Sequence, residues 1–297
     1  MCYTNVVFFA FEMAKRGVYM KYCDLHNHSV CSDGSFTPKE LVDYALEKGV
    51  SALGLTDHNT IDGIYDFLGY AQEKGIEAVF GSELSTGFGD KEIHLLALFI
   101  TEKNAHRVKE FTDIQLKAKE DSNIDLSNNL QKAGYKISLE ELKKKYGKNI
   151  NRAHFARELV NGGYAETTDE AFNTLLKSGN GFYNPPKRVT FYEGVELVKS
   201  WGCVPVMAHP LLSVTKEELE EILDVATPLG LVGIEVYYPK FNDEEKAYLL
   251  SLCQKHSLLP SGGSDYHGNM KSQGDLNEAK APYECYEKLY AVYKNIK

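Results

Sequence analysis

The chain has 297 residues, of which 43% are hydrophobic and 25% charged, which allows one large domain with an insertion or two domains. No stretch reaches the roughly 18 consecutive apolar residues of a membrane span, and the net charge of −9 argues against broad binding to a nucleic-acid backbone. The six cysteines form no CxxC pair, so we expect reduced thiols in a cytoplasmic protein. From the hydropathy and the charge we expect no binding to membranes or to duplex DNA.

The first 19 residues differ from the rest of the chain. The apolar run Val6–Phe11 is followed, not preceded, by the basic residues Lys15 and Arg16, which is the reverse of the charge order in a secretory signal. We therefore interpret residues 1–19 as an N-terminal extension, with Met20 as an alternative start directly before the first strand.

From residue 20 onward, short apolar runs alternate with helical patterns. The runs are rich in Val, Ile and Leu, which is typical of strands buried on both faces. Strands that alternate with helices predict a mostly parallel α/β sheet, and seven strands are enough for a closed or nearly closed barrel. The seven predicted strands are Tyr22–His28, Ser51–His58, Glu77–Leu84, Ile93–Ile100, Cys203–His209, Leu231–Tyr238 and Leu258–Asp265.

The first predicted helix begins after Thr37. Thr is a good N-cap here, because Pro38 follows at the first helical position and Glu40 stands three residues after the cap. The further helices predicted around the strands are Asp62–Lys74, Tyr192–Trp201, Lys216–Ala226, Asp243–His256 and Pro282–Asn295.

Residues 103–188 break the alternation, because their pattern is polar and purely helical. They carry 16 basic and 11 acidic residues, whereas the rest of the chain carries 17 basic and 31 acidic residues. We interpret them as an inserted helical subdomain that binds an anionic substrate, between two barrel segments at residues 20–102 and 189–297. Its predicted helices are Ala105–Ala133, Leu139–Tyr146, Ala153–Asn161 and Asp169–Lys177.

Histidines and carboxylates gather at the ends of the predicted strands. His26 and His28 lie two residues apart, so their side chains share one face of the first strand. Most of the others lie at or just after a strand end, and in parallel α/β folds this edge is where sites are built. The full set is His26, His28, Asp33, His58, Glu83, His94, His209, Asp265 and His267.

Imidazoles and carboxylates are suitable ligands for Mn²⁺, Zn²⁺ or Fe²⁺. A single His or Asp at a strand end is more often a turn former, but nine such residues exceed the roughly four to six ligands of one ion. The sequence therefore predicts a multinuclear site in which a carboxylate such as Glu83 bridges the ions. We interpret Asp57 as a partner that orients His58, and His106 and His256 as helix-face residues.

Four motifs resemble those of the PHP (polymerase and histidinol phosphatase) superfamily of phosphoesterases. They are Asp24–Ser29 with Ser32–Gly34, Leu55–Thr60, Ala208–Pro210 and Ser264–His267. The resemblance covers about residues 20–100 and 190–270, and it implies a distorted seven-stranded (β/α)7 barrel with two or three divalent metal ions.

The same resemblance implies a set of ligands for each ion. The first ion would be held by His26, His28, Glu83 and Asp265. The second would be held by Glu83, His94 and His209, and a third by Asp33, His58 and His267. The family often has His where this chain has Asp33, and this departure favours Mn²⁺ or partial occupancy at the third site.

Within the superfamily, the helical insertion resembles the branch that removes the 3′-phosphate from nucleoside 3′,5′-bisphosphates, some members of which also trim short RNA from its 5′ end. The matching segment is Asn151–Arg157, in which the family pattern implies that Arg152 and His154 bind a substrate phosphate. The expected partner is a small phosphorylated substrate, with a nucleotide favoured and short RNA as a further possibility.

We hypothesise that a metal-bridging hydroxide attacks phosphorus while the ions bridged by Glu83 stabilise the developing charge. Asp265 or His267 would move a proton near the leaving oxygen. Two alternatives stay open, a histidinol-phosphate phosphatase and a non-catalytic or proofreading PHP module. A metallo-amidohydrolase fits less well, because its histidines are spaced differently from the second motif here.

Overall fold

The structure, a computed structural model, describes residues 20–147, 149–179, 182–270 and 274–296. The predicted N-terminal extension, residues 1–19, lies outside the described residues. One sheet has the strand order β7-β6-β5-β4-β3-β2-β1-β8. Its strands are β1 (Tyr22–Asp24), β2 (Val50–Leu55), β3 (Glu77–Phe88), β4 (Lys91–Leu98), β5 (Val204–Met207), β6 (Gly233–Tyr237), β7 (Leu259–Gly262) and β8 (Ala281–Pro282).

The chain segments that follow β1 and β7 bring the two ends of the sheet together. The backbone N–H of Leu25 donates to the carbonyl of Gly262 at 3.0 Å, and the N–H of Asp265 donates to the carbonyl of His26 at 2.8 Å. Gly263 lies at the closest approach, because a Cβ there would stand 2.4 Å from the Cβ of His26. These bonds make a nearly closed barrel, which confirms the predicted α/β barrel class.

Strand β4 departs from the predicted parallel arrangement. It runs antiparallel to both β3 and β5, because a tight turn at Gly89, whose φ is 59°, returns the chain without a helix. The beginning of β4 therefore lies at the edge where the parallel strands end, and His94 lies there. The strand count also exceeds the predicted seven: β8 has two residues, too few to leave a pattern, and pairs antiparallel with β1.

The helices surround the barrel and fill the segment between β4 and β5. Thr37 caps the first helix and forms the predicted capping box with Glu40. The described helices are α1 (Pro38–Glu47), α2 (Ile64–Lys74), α3 (Ala105–Lys132), α4 (Leu139–Tyr146), α5 (Arg152–Asn161), α6 (Thr168–Asn173), α7 (Phe191–Ser200), α8 (Pro210–Ser213), α9 (Lys216–Leu229), α10 (Asp243–His256) and α11 (Tyr283–Asn295). No helix among the described residues is long and apolar enough to cross a membrane.

The segment between β4 and β5 packs around a core of its own. Leu126 of α3, Phe155 of α5 and Ala171 of α6 belong to one buried cluster, separate from the barrel interior. The first turns of α3 instead bury Ala105 and Val108 against the barrel. Helix α3 therefore contributes to both cores, and the division into barrel and insertion stays a proposal.

Candidate metal centre

Four of the predicted ligands form a first cluster at the mouth of the barrel. The Nε2 atoms of His26 and His28 lie 3.2 Å apart, and Oε2 of Glu83 lies 3.3 Å from each. Oδ1 of Asp265 lies 3.0 Å from Nε2 of His28. All four side chains are buried, and their ligand atoms lie within 4.8 Å of one another, which is close enough to surround one ion.

Glu83 stands at the centre of the predicted ligands. Its Oε1 lies 2.7 Å from Nδ1 of His94 and 3.1 Å from Nε2 of His209. Its Oε2 lies 2.9 Å from Nδ1 of His58. A carboxylate surrounded in this way occupies the position that a bridge between two ions requires. His58 lies close to Glu83 and His94, and it also belongs to a further cluster with His28, Asp33 and His267.

A third cluster forms around Asp33. Its Oδ1 lies 3.2 Å from Nε2 of His267, 3.8 Å from Nε2 of His58 and 3.9 Å from Nδ1 of His28. The two nitrogens of His28 therefore face different clusters, Nε2 the first and Nδ1 the third. The structure brings all nine predicted ligands into one continuous set.

Several buried ligand atoms have no hydrogen-bond partner among the described residues. Leaving such an atom unpaired costs about 1–3 kcal/mol, so it normally has a partner. Ligands that surround a shared cation lie close together without hydrogen-bond geometry, as these atoms do. Imidazoles and carboxylates are also the residue types that bind divalent transition metals. The atoms are His28 Nδ1, Glu83 Oε2, His94 Nδ1, His209 Nδ1 and Asp265 Oδ1.

Two of these ligands lie at strained points of the backbone. The φ angles of His209 and Asp265 are 25° and 51°, in the left-handed region that favours glycine. Such residues cost about 1–3 kcal/mol each and persist where the surrounding structure holds them, commonly at functional sites. The strain occurs where the chain turns sharply after β5 and β7 and presents each side chain to the cluster.

Burial and the neighbouring charges shift the pKa values of the clustered side chains. Burial alone would lower the pKa of His28, but the carboxylates of Asp265 and Glu83 outweigh burial and raise the pKa to about 9. For His58 burial dominates and lowers the pKa to about 4. Burial would raise the pKa of Glu83, but the neighbouring imidazoles of His58 and His94 hold this pKa well below its usual range. Because ligands must be deprotonated, cations and protons compete here.

Asp57 does not orient His58, contrary to the interpretation from sequence. Its carboxylate accepts hydrogen bonds from the backbone N–H and the hydroxyl of Ser29, at 2.8 and 2.6 Å, and from the hydroxyl of Ser32. Asp57 thus holds the loop that carries Asp33. Sequence spacing could not show these hydrogen bonds, because Ser29 and Ser32 lie in the loop after β1, whereas Asp57 follows β2.

Two further residues that touch the ligands were missed by the sequence analysis. The Tyr238 hydroxyl donates to Oδ2 of Asp265 at 3.0 Å. Glu235, fully buried in β6, contacts both His26 and His209. The available signal was a single acidic residue in the otherwise apolar run of Leu231–Tyr238.

A cavity of about 240 Å³ opens beside the cluster. The guanidinium of Arg152 lies 4.5 Å from the ring centre of Tyr183 and 5.6 Å from that of Phe172, so cation–π contacts hold it. Among the described residues Arg152 forms no ion pair, which leaves its charge available to an anion. The side chains lining the cavity include Asp33, His58, His94, Lys119, Arg152 and Arg188.

His154 is placed differently from Arg152. Its Nδ1 accepts a hydrogen bond from the backbone N–H of Asn151 at 3.1 Å, and its ring lies 4.8 Å from the ring of Tyr146. It is not among the described residues that line the cavity. These contacts give His154 a helix-capping role, and its binding of substrate stays a prediction.

The chain is similar to known proteins in sequence and in fold. The PHP domain family model matches residues 24–181. A 5′-3′ exoribonuclease of Haemophilus influenzae is 29% identical over 248 residues, covering 83% of this chain and 90% of the relative. A 3′,5′-nucleoside bisphosphate phosphatase of Chromobacterium violaceum is 27% identical over 264 residues, covering 88% and 92%. A crystal structure from Bifidobacterium adolescentis, assigned provisionally as a metal-dependent phosphoesterase, superposes with a TM-score of 0.75 at 27% identity, covering 91% and 96%.

Proposed function

The chain belongs to the PHP domain family and is a metal-dependent hydrolase of phosphoester bonds, and we propose that it removes the 3′-phosphate from nucleoside 3′,5′-bisphosphates. The observation that carries this proposal is the pairing of two unlike features in one cavity. Three of the proposed metal ligands, Asp33, His58 and His94, lie on one side, and the guanidinium of Arg152, which forms no ion pair among the described residues, lies on the other. A substrate with two phosphates would engage both.

We assign the ions as the resemblance implies, with His58 shared between the second and third. Two or three Mn²⁺, Zn²⁺ or Fe²⁺ ions, when bound, supply Lewis-acid stabilisation of the phosphoryl oxygens and lower the pKa of water. The chain's own contribution is to hold the ligand side chains in place before the ions and the substrate bind. Glu83 is buried among five imidazoles, so these side chains need not rearrange during the reaction.

Arg152 would bind the phosphate that does not react. A guanidinium makes two parallel hydrogen bonds to a phosphate, and its aromatic contacts with Tyr183 and Phe172 fix it in advance. Binding energy from this remote group then helps to position the scissile ester. Asp265 and His267 are 4% and 1% exposed, which favours their role as ligands over proton transfer to the leaving oxygen.

A second candidate substrate, short 5′-phosphorylated RNA, is favoured by a second cavity of about 400 Å³. It shares Arg152, Tyr183 and Arg188 with the first cavity and adds Lys177 and Ser178. An RNA of more than one nucleotide would extend past Arg152 into this second cavity. The H. influenzae relative is named for activity on RNA, and the C. violaceum relative for activity on bisphosphates.

The test is phosphate release from adenosine 3′,5′-bisphosphate, with Mn²⁺ and with EDTA, beside histidinol phosphate and a 5′-phosphorylated short RNA. We expect rapid release from the bisphosphate that EDTA abolishes. No release from the bisphosphate would overturn the substrate assignment, and activity on histidinol phosphate alone would favour the alternative phosphatase.

A further inference from the structure

We propose that Glu235 is a positioning residue that sets two metal sites at once by holding one ligand of each. The inference rests on the proposed metal cluster. Glu235 lies in β6 and is fully buried, between the chain segments that carry His26 and His209. A buried carboxylate is costly unless its oxygens accept hydrogen bonds, so its contacts define what it does.

The first contact fixes the orientation of His26. Nδ1 of His26 lies 3.2 Å from Oε1 of Glu235 and 3.4 Å from Oε2, while its Nε2 faces Glu83 at 3.3 Å. A histidine that binds a metal commonly donates its other ring N–H to a carboxylate, which fixes the tautomer. We infer that Nδ1 of His26 carries the hydrogen and leaves the lone pair of Nε2 for the first ion.

The second contact holds the backbone of His209. Oε2 of Glu235 accepts the backbone N–H of His209 at 2.7 Å, at the residue whose φ is 25°. The strained bend after β5 is thus stabilised by a hydrogen bond from the neighbouring strand. Through this bond Glu235 places the imidazole that faces Oε1 of Glu83 at the second site.

The two contacts lead to a specific expectation for Glu235→Gln. A carboxylate offers two acceptor oxygens to two N–H donors, whereas an amide of the same shape offers one. If the amide oxygen keeps the shorter bond to His209, the NH₂ group faces Nδ1 of His26. His26 is then driven to the opposite tautomer, with its hydrogen on Nε2, and is lost as a ligand.

The experiment is a calorimetric titration of the full, chelator-treated chain with Mn²⁺, without substrate, for wild type, Glu235→Gln and Glu235→Ala. We expect the Gln variant to bind the first ion about 10- to 100-fold more weakly and to keep the second. The Ala variant should weaken both sites. The Co²⁺ absorption spectrum of each variant reports the change in ligand set independently of affinity.

Glu77→Gln is the matched control. Glu77 is also a carboxylate of a barrel strand, but it lies at the start of β3, at the end of the barrel away from the ligands, and it accepts a hydrogen bond from the Tyr286 hydroxyl at 2.9 Å. This variant should keep the wild-type metal affinities. Wild-type affinities in Glu235→Gln, or equal losses in Glu77→Gln, would overturn the proposal. If Glu235→Ala fails to fold, the Gln variant carries the test; a wild-type chain that binds no metal would instead refute the proposed function.

Discussion

The two sides of the active-site cavity are built in opposite ways. On the barrel side the ligands are mostly buried, and they are held by backbone hydrogen bonds and by other buried carboxylates. On the insertion side Arg152 and Arg188 are partly exposed, and they are held by aromatic rings and by one ion pair, between Arg188 and Glu92 at 2.7 Å. Under the proposed function, the first side carries out the hydrolysis and the second selects the substrate.

Substitutions on the two sides should therefore have different effects on catalysis. A substitution among the ligands should abolish hydrolysis of every substrate, because the cluster is common to all of them. A substitution on the insertion side should change the relative rates on different substrates. Losses common to all substrates and losses specific to one substrate should therefore map to different sides of the cavity.

Glu83→Gln should have the largest effect. The Glu83 carboxylate faces five imidazoles. Loss of a residue that only supports a metal ligand lowers metal affinity or activity by roughly 10- to 100-fold. For Glu83 itself we therefore expect a larger loss of kcat/KM on every substrate. Steady-state kinetics with Mn²⁺ and elemental analysis of metal content are the measurements. Glu73→Gln, at an exposed position of α2, is the control. Retention of both metal and activity in Glu83→Gln would contradict a bridging role.

Arg152→Ala should be selective. Loss of a charged hydrogen bond of about 1.5–3 kcal/mol corresponds to a decrease of roughly 10- to 150-fold in kcat/KM for the bisphosphate. Hydrolysis of p-nitrophenyl phosphate, which lacks the second phosphate, should change little, and Arg152→Lys should not restore bidentate binding. Arg157→Ala, on the same helix and exposed, is the matched control. Equal losses on both substrates would remove the assigned role.

Gly263→Ala should act through stability. The added Cβ would meet His26 at 2.4 Å where the barrel closes, and overpacking of this kind costs about 1–3 kcal/mol. Gly69→Ala is the control, because no described atom beyond the adjacent turns of α2 lies within 4 Å of its Cβ position, and alanine there should stabilise by about 0.5–1 kcal/mol. Denaturant unfolding of both variants measures the free energies. A neutral Gly263→Ala would mean that the closure is looser than described.

Lys177→Ala should have the smallest effect. Lys177 lines the second cavity and is exposed, so its removal should leave the bisphosphate unaffected and slow only the trimming of 5′-phosphorylated RNA, by a few-fold at most. Rates on a bisphosphate and on RNA of two and three nucleotides, compared with Lys144→Ala on α4, measure this. A loss confined to the bisphosphate would reverse the assignment of the two cavities.

The clustering of the proposed ligands could be predicted from sequence, because the ends of parallel strands meet at one edge of an α/β barrel. His26 and His28 share a face because strand side chains alternate, and His209 and Asp265 follow strands that end at the same edge. Most helix boundaries were equally visible, since Thr37, Thr190 and Thr215 form capping boxes. Such features depend on neighbours within a few residues.

Part of what was not predicted depends on contacts between distant parts of the chain. Glu235 lies 209 residues from His26, and no local pattern joins them. The antiparallel course of β4 follows instead from a local turn at Gly89 and Asp90, a two-residue hairpin signal that the predicted alternation of strands and helices did not include. The capping contact that engages Nδ1 of His154 was likewise hidden, because His is an uncommon partner in a capping box.

The number of metal ions bound by the active chain tests the proposed multinuclear centre. Chelator-treated protein is titrated with Mn²⁺, and bound ions per chain are measured alongside phosphate release from adenosine 3′,5′-bisphosphate. We expect two or more ions per chain, with activity that rises as the second ion binds. Full activity with a single bound ion, or in the presence of EDTA, would contradict a multinuclear centre bridged by Glu83.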